Sequence, residues 1–301
     1  MNKKILIIGS CGFIGKHLCS YFKTLGYKVF GADIIIKEEK DYFILNAENA
    51  NFLHLFISNT FEICINASGA ANVNLSFNYP QLDFNLNTSN VLHILDAIRT
   101  HNPDCKFINF SSAAVYGNPN LLPIKEDSKL SPISPYGFHK MYSEFICKEF
   151  YDLYNIKTIS LRVFSVYGEG LKKQIFWDLH NKIINTENNE IIIFGNGSES
   201  RDFIYINDLL EAVYLILLNL KFEGQQVNIA NGEEIFINDA VGKFIELHNR
   251  KIGVKYDNKG LSGNPKNWIA DISVIKSIGY EKKFDLNKGL TNYINWLNEQ
   301  D

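Results

Sequence analysis

Lys4-Ile5-Leu6-Ile7-Ile8-Gly9-Ser10-Cys11-Gly12-Phe13-Ile14-Gly15 is the stretch whose reading decides the fold. Lys4–Ile8 is a short β-branched and leucine run, the pattern of a strand covered on both faces in a parallel sheet. Gly9 ends it. From Phe13 to Leu25 apolar residues recur at helical spacing, and Gly26 closes the helix as a C-cap. Between strand and helix lies G-x-x-G-x-x-G. The first glycine, Gly9, permits a tight turn; Gly12 lets backbone approach a pyrophosphate; Gly15 lets helix and strand pack closely. The helix N-terminus, starting at Phe13 and Ile14, adds amide donors and a positive dipole.

Outward from this turn, strands and helices alternate. Tyr27–Ala32, Glu62–Ala67, Lys106–Ser111 and Lys157–Val163 read as strands, and Leu82–Thr100 and Tyr136–Tyr154 as helices. Such alternation implies right-handed βαβ units. The fold class expected is α/β: a Rossmann-like doubly wound parallel sheet with a smaller C-terminal α/β substrate-binding region. After about Tyr167 the rhythm loosens around Gly168–Gly170, Asn185–Asn189 and Gly195–Gly197. A helical stretch at Asn207–Leu220 and a strand at Gln226–Ile229 follow. The expected division is 1–167 for the dinucleotide domain, with about 200–232 returning to it. The substrate region then takes 168–199 and 233–301.

Composition narrows the function classes. Of 301 residues 46% are hydrophobic and 21% charged, with a net charge of −3. That balance excludes a polybasic nucleic-acid or membrane surface. Five cysteines with no C-x-x-C pair argue against a metal cluster or disulfide framework and for a reducing cytoplasm. The apolar run after Lys3 and Lys4 is too short for a signal peptide, and nothing approaches the roughly 18 apolar residues of a membrane span. Leu209–Leu220, interrupted by Glu211 and Asn219, reads as a buried helix.

Asp33 ends the second strand, about 20 residues beyond the glycine turn. A carboxylate there accepts ribose hydroxyls and repels a 2′-phosphate, which favours NAD over NADP. The chemistry comes from two later segments. Ser111 and Ser112 follow a buried strand, so they emerge at the carboxyl edge of the sheet, where ligands bind. Tyr136 and Lys140, four apart at the start of a helix, share one face. A lysine cation and a nicotinamide charge are expected to lower the tyrosine pKa from its usual value near 10, so that Tyr136 takes a proton from a sugar hydroxyl as hydride leaves its carbon. Ser112 hydrogen-bonds the same oxygen.

These motifs together, GSCGFIG, SSAAVYG (Ser111–Gly117), YGFHK (Tyr136–Lys140), LRVFSVYG (Leu161–Gly168) and IIIFGNGSESRDFIYINDL (Ile191–Leu209), make the chain similar to the extended short-chain dehydrogenase/reductases, in the branch of nucleotide-sugar epimerases, dehydratases and 4-keto reductases. The resemblance covers nearly the whole length. It implies a nucleotide-diphosphate sugar as partner, with Arg201 on the diphosphate and Phe194 near the base. It places Ile34, Asn46, Ala47, Ala67, Ser68, Gly69, Asn85, Phe164 and Val166 near the cofactor, with Asn46 where the family often has an aspartate. Ser165 and Gln174 fall on the substrate side, although Lys172-Lys173-Gln174 also reads as a solvated loop.

Within the family, Ala113 and Ala114 stand where dehydratases carry an Asp-Glu pair, which argues against dehydration. Cys105 and His139 are poorly placed for a 3,5-epimerase/reductase. Ser112, Tyr136 and Lys140 suffice for a C4 epimerase with tightly held NAD, or for a 4-keto-6-deoxy reductase with exchangeable NAD(P)H. Ser165 in place of a family asparagine and Leu261 in place of a second arginine weigh against a standard UDP-galactose epimerase; Lys259 and Lys266 are the candidate substitutes. A non-catalytic dinucleotide sensor is the third reading, and the intact tyrosine and lysine oppose it. Surplus apolar residues on the two helices (Leu86, Val91, Leu92, Ile94, Leu95; Met141, Phe145, Ile146, Phe150) and the family resemblance imply a homodimer.

Overall fold

The computed structural model describes residues 3–46, 51–259, 263 and 265–300. By their own contacts the residues form two units, one of 1–117, 129–163 and 218–227, the other of 118–128, 164–217 and 228–301. The first is built on a seven-stranded sheet. Its strands are β1 (Lys4–Ile8), β2 (Lys28–Asp33), β3 (Tyr42–Ile44), β4 (Ile63–Asn66), β5 (Lys106–Ser112), β6 (Thr158–Val163) and an edge strand Gln226–Ile229. They lie in the order edge strand, β6, β5, β4, β1, β2, β3. Ile5 pairs in parallel with both Val29 and Ile63. The chain therefore leaves β1 toward β2 on one side and returns to β4 on the other, and this reversal opens a crevice at the strand carboxyl ends, where Gly9 and Ala67 lie.

Burial follows the sequence pattern. Ile5–Ile8 are wholly buried, and Leu6, Ile8, Phe30, Phe61, Val91, Ile94, Leu95 and Phe107 form one cluster with their neighbours. Helices Phe13–Thr24 and Pro135–Tyr154 match the expected elements within a residue. The long helix expected over Leu82–Thr100 is a composite. A short helix Pro80–Phe84 runs through a π-turn at Asn85–Ser89 into the helix Asn90–His101. A π-turn adds a residue to one turn and rotates what precedes it. Here the polar Asp83, Asn87 and Thr88 are buried.

The second unit has three two-stranded ladders. Ser165–Tyr167 pairs in parallel with Phe203–Tyr205, Glu190–Ile193 with Gly253–Tyr256, and Ser200–Arg201 runs antiparallel to Ile235–Phe236. Helices Gln174–Asn185, Ile206–Asn219, Ile237–Leu247 and Leu286–Asn298 accompany them. The Gln174–Asn185 helix replaces the solvated loop read at its start. The contacts return only Leu218–Val227 to the first unit, not 200–232, because Phe203–Tyr205 pairs with Ser165–Tyr167 and holds its own helix there. Residues 118–128 go the same way through the Ile124–Ala270 bridge. No helix among the described residues is long and apolar enough to cross a membrane.

Candidate functional site

The glycine turn is shaped as its spacing requires. Gly9 has φ +80°, and a Cβ there would stand 2.6 Å from the Ser68 backbone nitrogen. A Cβ on Gly15 would strike the Gly9 carbonyl. The helix that starts at Phe13 has Gly12 as N-cap, no side chain on its amides and no acidic residue in its first turn. Its N–H donors are thus open to an anion. Asp33 lies half-buried, its Oδ2 accepting the Cys11 amide and its Oδ1 the Ile34 amide, both at 2.8 Å. Each oxygen keeps a second lone pair for a ribose hydroxyl. This donor and acceptor set fits a dinucleotide with an unphosphorylated ribose. Ile34 is exposed, as is Asn46, and Ala47 lies outside the described residues.

After β4 the backbone turns through Ala67, Ser68 and Gly69, with Ser68 Oγ donating to Asn66 Oδ1 at 2.6 Å. The asparagine beside this turn is Asn87, not Asn85. Asn85 is exposed, whereas Asn87 is buried, donates to the Ala70 carbonyl at 3.1 Å, and presents an Oδ1 that accepts no bond among the described residues. A Cβ on Gly69 would collide with that oxygen. The π-turn sets which of the two asparagines, Asn85 or Asn87, faces this loop.

The residues expected to handle the proton are brought together by β5 and the Pro135–Tyr154 helix. Ser134 caps that helix, its Oγ accepting the Gly137 amide, with Pro135 in the first turn. Tyr136 and Lys140 are both nearly buried. Ser112 hydrogen-bonds the Tyr136 hydroxyl. Lys140 Nζ donates to the Phe110 carbonyl at 2.8 Å and lies 6.0 Å from the Tyr136 ring centre. Burial pushes the Tyr136 phenol up to about 12, with the Ser112 hydrogen bond pulling it down and Asp83 pushing it further up. Burial also pushes Lys140 down to about 8, against the pull of Asp83, Glu144 and Cys147. The lowering expected from Lys140 together with a nicotinamide charge is opposed here by burial, which outweighs what the protein's own groups supply. Both groups are desolvated, and desolvation opposes charge on each.

Behind them lies a buried network that sequence reasoning missed. Ser111 Oγ donates to Glu144 Oε1 at 2.5 Å, and Arg162 Nε and Nη2 grip the same carboxylate at 2.9 and 2.7 Å. Arg162 Nη1 donates to the Tyr116 hydroxyl at 2.8 Å. Ser111, expected near the cofactor, is thus tied inward. The signal was present, as Glu144 sits one turn past Lys140 and Arg162 inside LRVFSVYG. Spacing alone does not reveal which charge meets which. His139 faces Asp83, and Cys105 is fully buried, so neither joins Ser112.

In the second unit, Arg201 is half-buried. Its Nη1 donates to the carbonyls of Ser200 and Lys266 at 2.7 and 3.1 Å, and its guanidinium lies 5.6 Å from the Trp268 ring centre. Burial pulls it down to about 10. Nε and Nη2 take no partner among the described residues and remain available for an oxyanion. Phe194 is exposed, with Lys182 Nζ over its ring at 4.9 Å. Phe164 and Val166 are buried, Ser165 donates its amide to the Asp202 carbonyl, and Gln174 is exposed. Lys266 offers its carbonyl to Arg201, and Lys259 its own to Gly195. Leu261 lies outside the described residues. All five cysteines are free thiols, and no cluster able to hold a metal occurs among the described residues.

Residues 5–230 match the NAD dependent epimerase/dehydratase family. The chain is 30% identical to an uncharacterized UDP-glucose epimerase of Bacillus subtilis, over 98% of each chain. It is 26% identical to a UDP-glucuronate 4-epimerase of Thermodesulfobacterium geofontis, over 98% of this chain and 96% of the other. The crystal structure of a UDP-glucuronic acid 4-epimerase from Bacillus cereus, in complex with UDP-glucuronic acid and NAD, superposes with a TM-score of 0.89 at 26% identity, covering 99% of this chain and 100% of that one.

Proposed function

The chain belongs to the NAD dependent epimerase/dehydratase family, and from that premise we propose that it inverts C4 of a UDP-sugar through a transient 4-keto sugar. The observation that carries the reading is Tyr136 and Lys140 buried together one helical turn apart, with Lys140 Nζ 6.0 Å from the Tyr136 ring centre and Ser112 acting on the phenol. Gly9, Gly12, Phe13, Ile14, Gly15, Asp33, the Ala67–Gly69 turn and Asn87 are the residues proposed to hold NAD. Bound NAD supplies the hydride acceptor and donor at C4 and, when oxidised, a positive charge beside the phenol. Tyr136 removes the proton of the 4-hydroxyl and returns it to the same oxygen after the ketone has turned over. Ser112 donates to that oxygen as it becomes a carbonyl, and Lys140 balances the phenolate. Such a cycle needs nothing from positions 113 and 114, where both residues are alanine. Arg201 is proposed for the diphosphate, because its two unused guanidinium edges suit an oxyanion. Phe194 is proposed for the base, and Ser165 and Gln174 for lesser contacts.

The test is incubation of the purified protein with UDP-glucose, UDP-N-acetylglucosamine and UDP-glucuronate, without added cofactor, followed by NMR of the sugar signals. The expected outcome is growth of one 4-epimer to a constant ratio, with NAD released on denaturation. Reduction of a 4-keto-6-deoxy sugar by added NAD(P)H, with no epimer from any substrate, would replace this reading with the reductase one. We also propose a homodimer. Leu92, Phe138, Tyr142 and Phe145 are exposed on the two helices expected to pair, whereas Val91, Ile94, Leu95 and Phe150 are core. Sedimentation at micromolar concentration decides it, a monomer refuting the proposal.

A further inference from the structure

A chain of hydrogen bonds runs inside the first unit from the Pro135–Tyr154 helix to the turn after β4. Asp83 is wholly buried, and Asn87 and Thr88 nearly so. Asp83 Oδ2 lies 2.6 Å from His139 Nδ1, and Asp83 Oδ1 accepts Asn87 Nδ2 at 3.0 Å. The same Nδ2 donates to the Ala70 carbonyl at 3.1 Å. Thr88 Oγ1 donates to the His139 carbonyl at 2.9 Å, a second tie between the two segments. Asn87 and Thr88 lie in the π-turn Asn85–Ser89. Such turns recur at functional sites because they re-aim side chains without ending the helix.

Asp83 Oδ1 and the Ala70 carbonyl are both acceptors facing Asn87. Its NH2 group must serve both, so the amide has one orientation. That orientation turns Asn87 Oδ1 onto Gly69, where it accepts no bond among the described residues and where a Cβ would collide with it. An unpaired buried acceptor is unfavourable. An apolar residue in place of Asp83 would pack at this crossing without burying a charge. What the costly arrangement achieves is a fixed Ala70 carbonyl, held at the end of the Ala67–Gly69 turn.

We infer that Asp83 is a positioning residue for the cofactor: held by His139, it locks the Asn87 amide, and Asn87 in turn holds the Ala67–Gly69 turn in the form that receives NAD. The inference rests on the proposed placing of NAD against this turn. It concerns bonding geometry rather than charge. An asparagine at position 83 keeps both bonds, its oxygen accepting from Asn87 and its amide donating to His139 Nδ1 in the other tautomer. An alanine keeps neither.

The experiment follows release of NAD from the full chain, loaded by exchange with ¹⁴C-labelled NAD and chased with unlabelled NAD, with no sugar present. Asp83→Ala is expected to release NAD about tenfold faster than wild type, as for one lost hydrogen bond. Asp83→Asn is expected to stay within about twofold of wild type. Unchanged release from folded Asp83→Ala overturns the inference, and a lowered melting temperature beside it makes Asp83 a packing residue. Equal acceleration in Asp83→Asn overturns it too, because charge rather than bonding would then be at work. Should Asp83→Ala fail to fold, His139→Leu loosens the carboxylate from its other side and is expected to speed release about threefold. Release at the wild-type rate there overturns the inference. A wild type that holds no NAD removes the cofactor placement and the inference with it. Absence of epimerisation, with release altered as expected, removes the proposed function and leaves the role of Asp83 standing.

Discussion

The two units hold themselves together by different means. The first rests on apolar runs in parallel register, Ile5 against Val29 and Ile63, Ile108 against Ile65 and Ile159. The second has short ladders joined by side chains that bond backbone. Asp202, fully buried, accepts the amides of Asn231, Gly232 and Ala270 at 2.9 to 3.0 Å. Asp208 accepts those of Lys283 and Phe284. Packing in the first unit is spread over many residues, so a polar side chain can be devoted to chemistry. In the second, single carboxylates each bond backbone amides of segments distant in sequence. Lesions in the two should therefore differ in kind.

The largest effect expected tests the first half of that contrast. Tyr136→Phe removes the group proposed to transfer the proton and should lower kcat by about 10²–10⁴-fold. Its structural loss is one hydrogen bond to Ser112, about 1 kcal/mol, so the melting temperature should move by only a few degrees. Epimerisation kinetics beside a thermal melt check both. A variant that retains turnover, or that melts far earlier, breaks the separation of chemistry from packing in this unit.

Next comes a lesion of the opposite kind. Asp202→Asn turns an acceptor into a donor facing the amides of half-buried Gly232 and buried Ala270, which should cost about 2–4 kcal/mol by denaturant titration. The pH dependence carries a second sign. Burial pushes the Asp202 carboxyl up to about 7, against the amides that pull it down. Folded protein then binds a proton that the unfolded chain, near 3.8, has released. This stabilisation is complete below about pH 4 and is lost as pH rises through about 7. Wild type should lose stability across that window from this residue, and Asp202→Asn should show a flatter profile. Equal slopes would place the pH sensitivity elsewhere.

The same contrast explains what could be read from sequence. β1, the glycine turn and the Pro135–Tyr154 helix follow from periodicity and capping, which depend on near neighbours. Tyr136 and Lys140 were legible because one helical turn fixes their spacing, and Ser112 because it ends a buried apolar run at the sheet's carboxyl edge. Asn85 came from the resemblance, whereas the structure sets Asn87 against Gly69 through an i→i+5 turn that apolar spacing does not mark. Glu144 and Arg162 are 18 residues apart, and the packing of the Pro135–Tyr154 helix on β6 brings them together. In the second unit, the helix Gln174–Asn185 was obscured by its lysines and asparagines although Phe176, Leu179 and Ile183 are buried on one face. The domain division could not draw on the Phe203–Tyr205 ladder with the earlier Ser165–Tyr167 or on the bonds of Asp202 to the later Asn231, Gly232 and Ala270, which no local pattern announces.

The smallest effect expected concerns Arg201, where structural and binding roles overlap. Its Nη1 serves the second unit through the Ser200 and Lys266 carbonyls, while Nε and Nη2 are the edges proposed for the diphosphate. Arg201→Lys keeps the charge and one donor group but loses the planar fork. KM for a UDP-sugar should rise about tenfold, equivalent to about 1.4 kcal/mol, with kcat held within a factor of a few, because the diphosphate does not change during reaction at C4. Steady-state kinetics separate the two constants. A fall in kcat at unchanged KM would mean that Arg201 acts on the reacting carbon. A loss of stability comparable to Asp202→Asn would assign it to holding the Ser200 and Lys266 segments together, leaving the diphosphate to other cations.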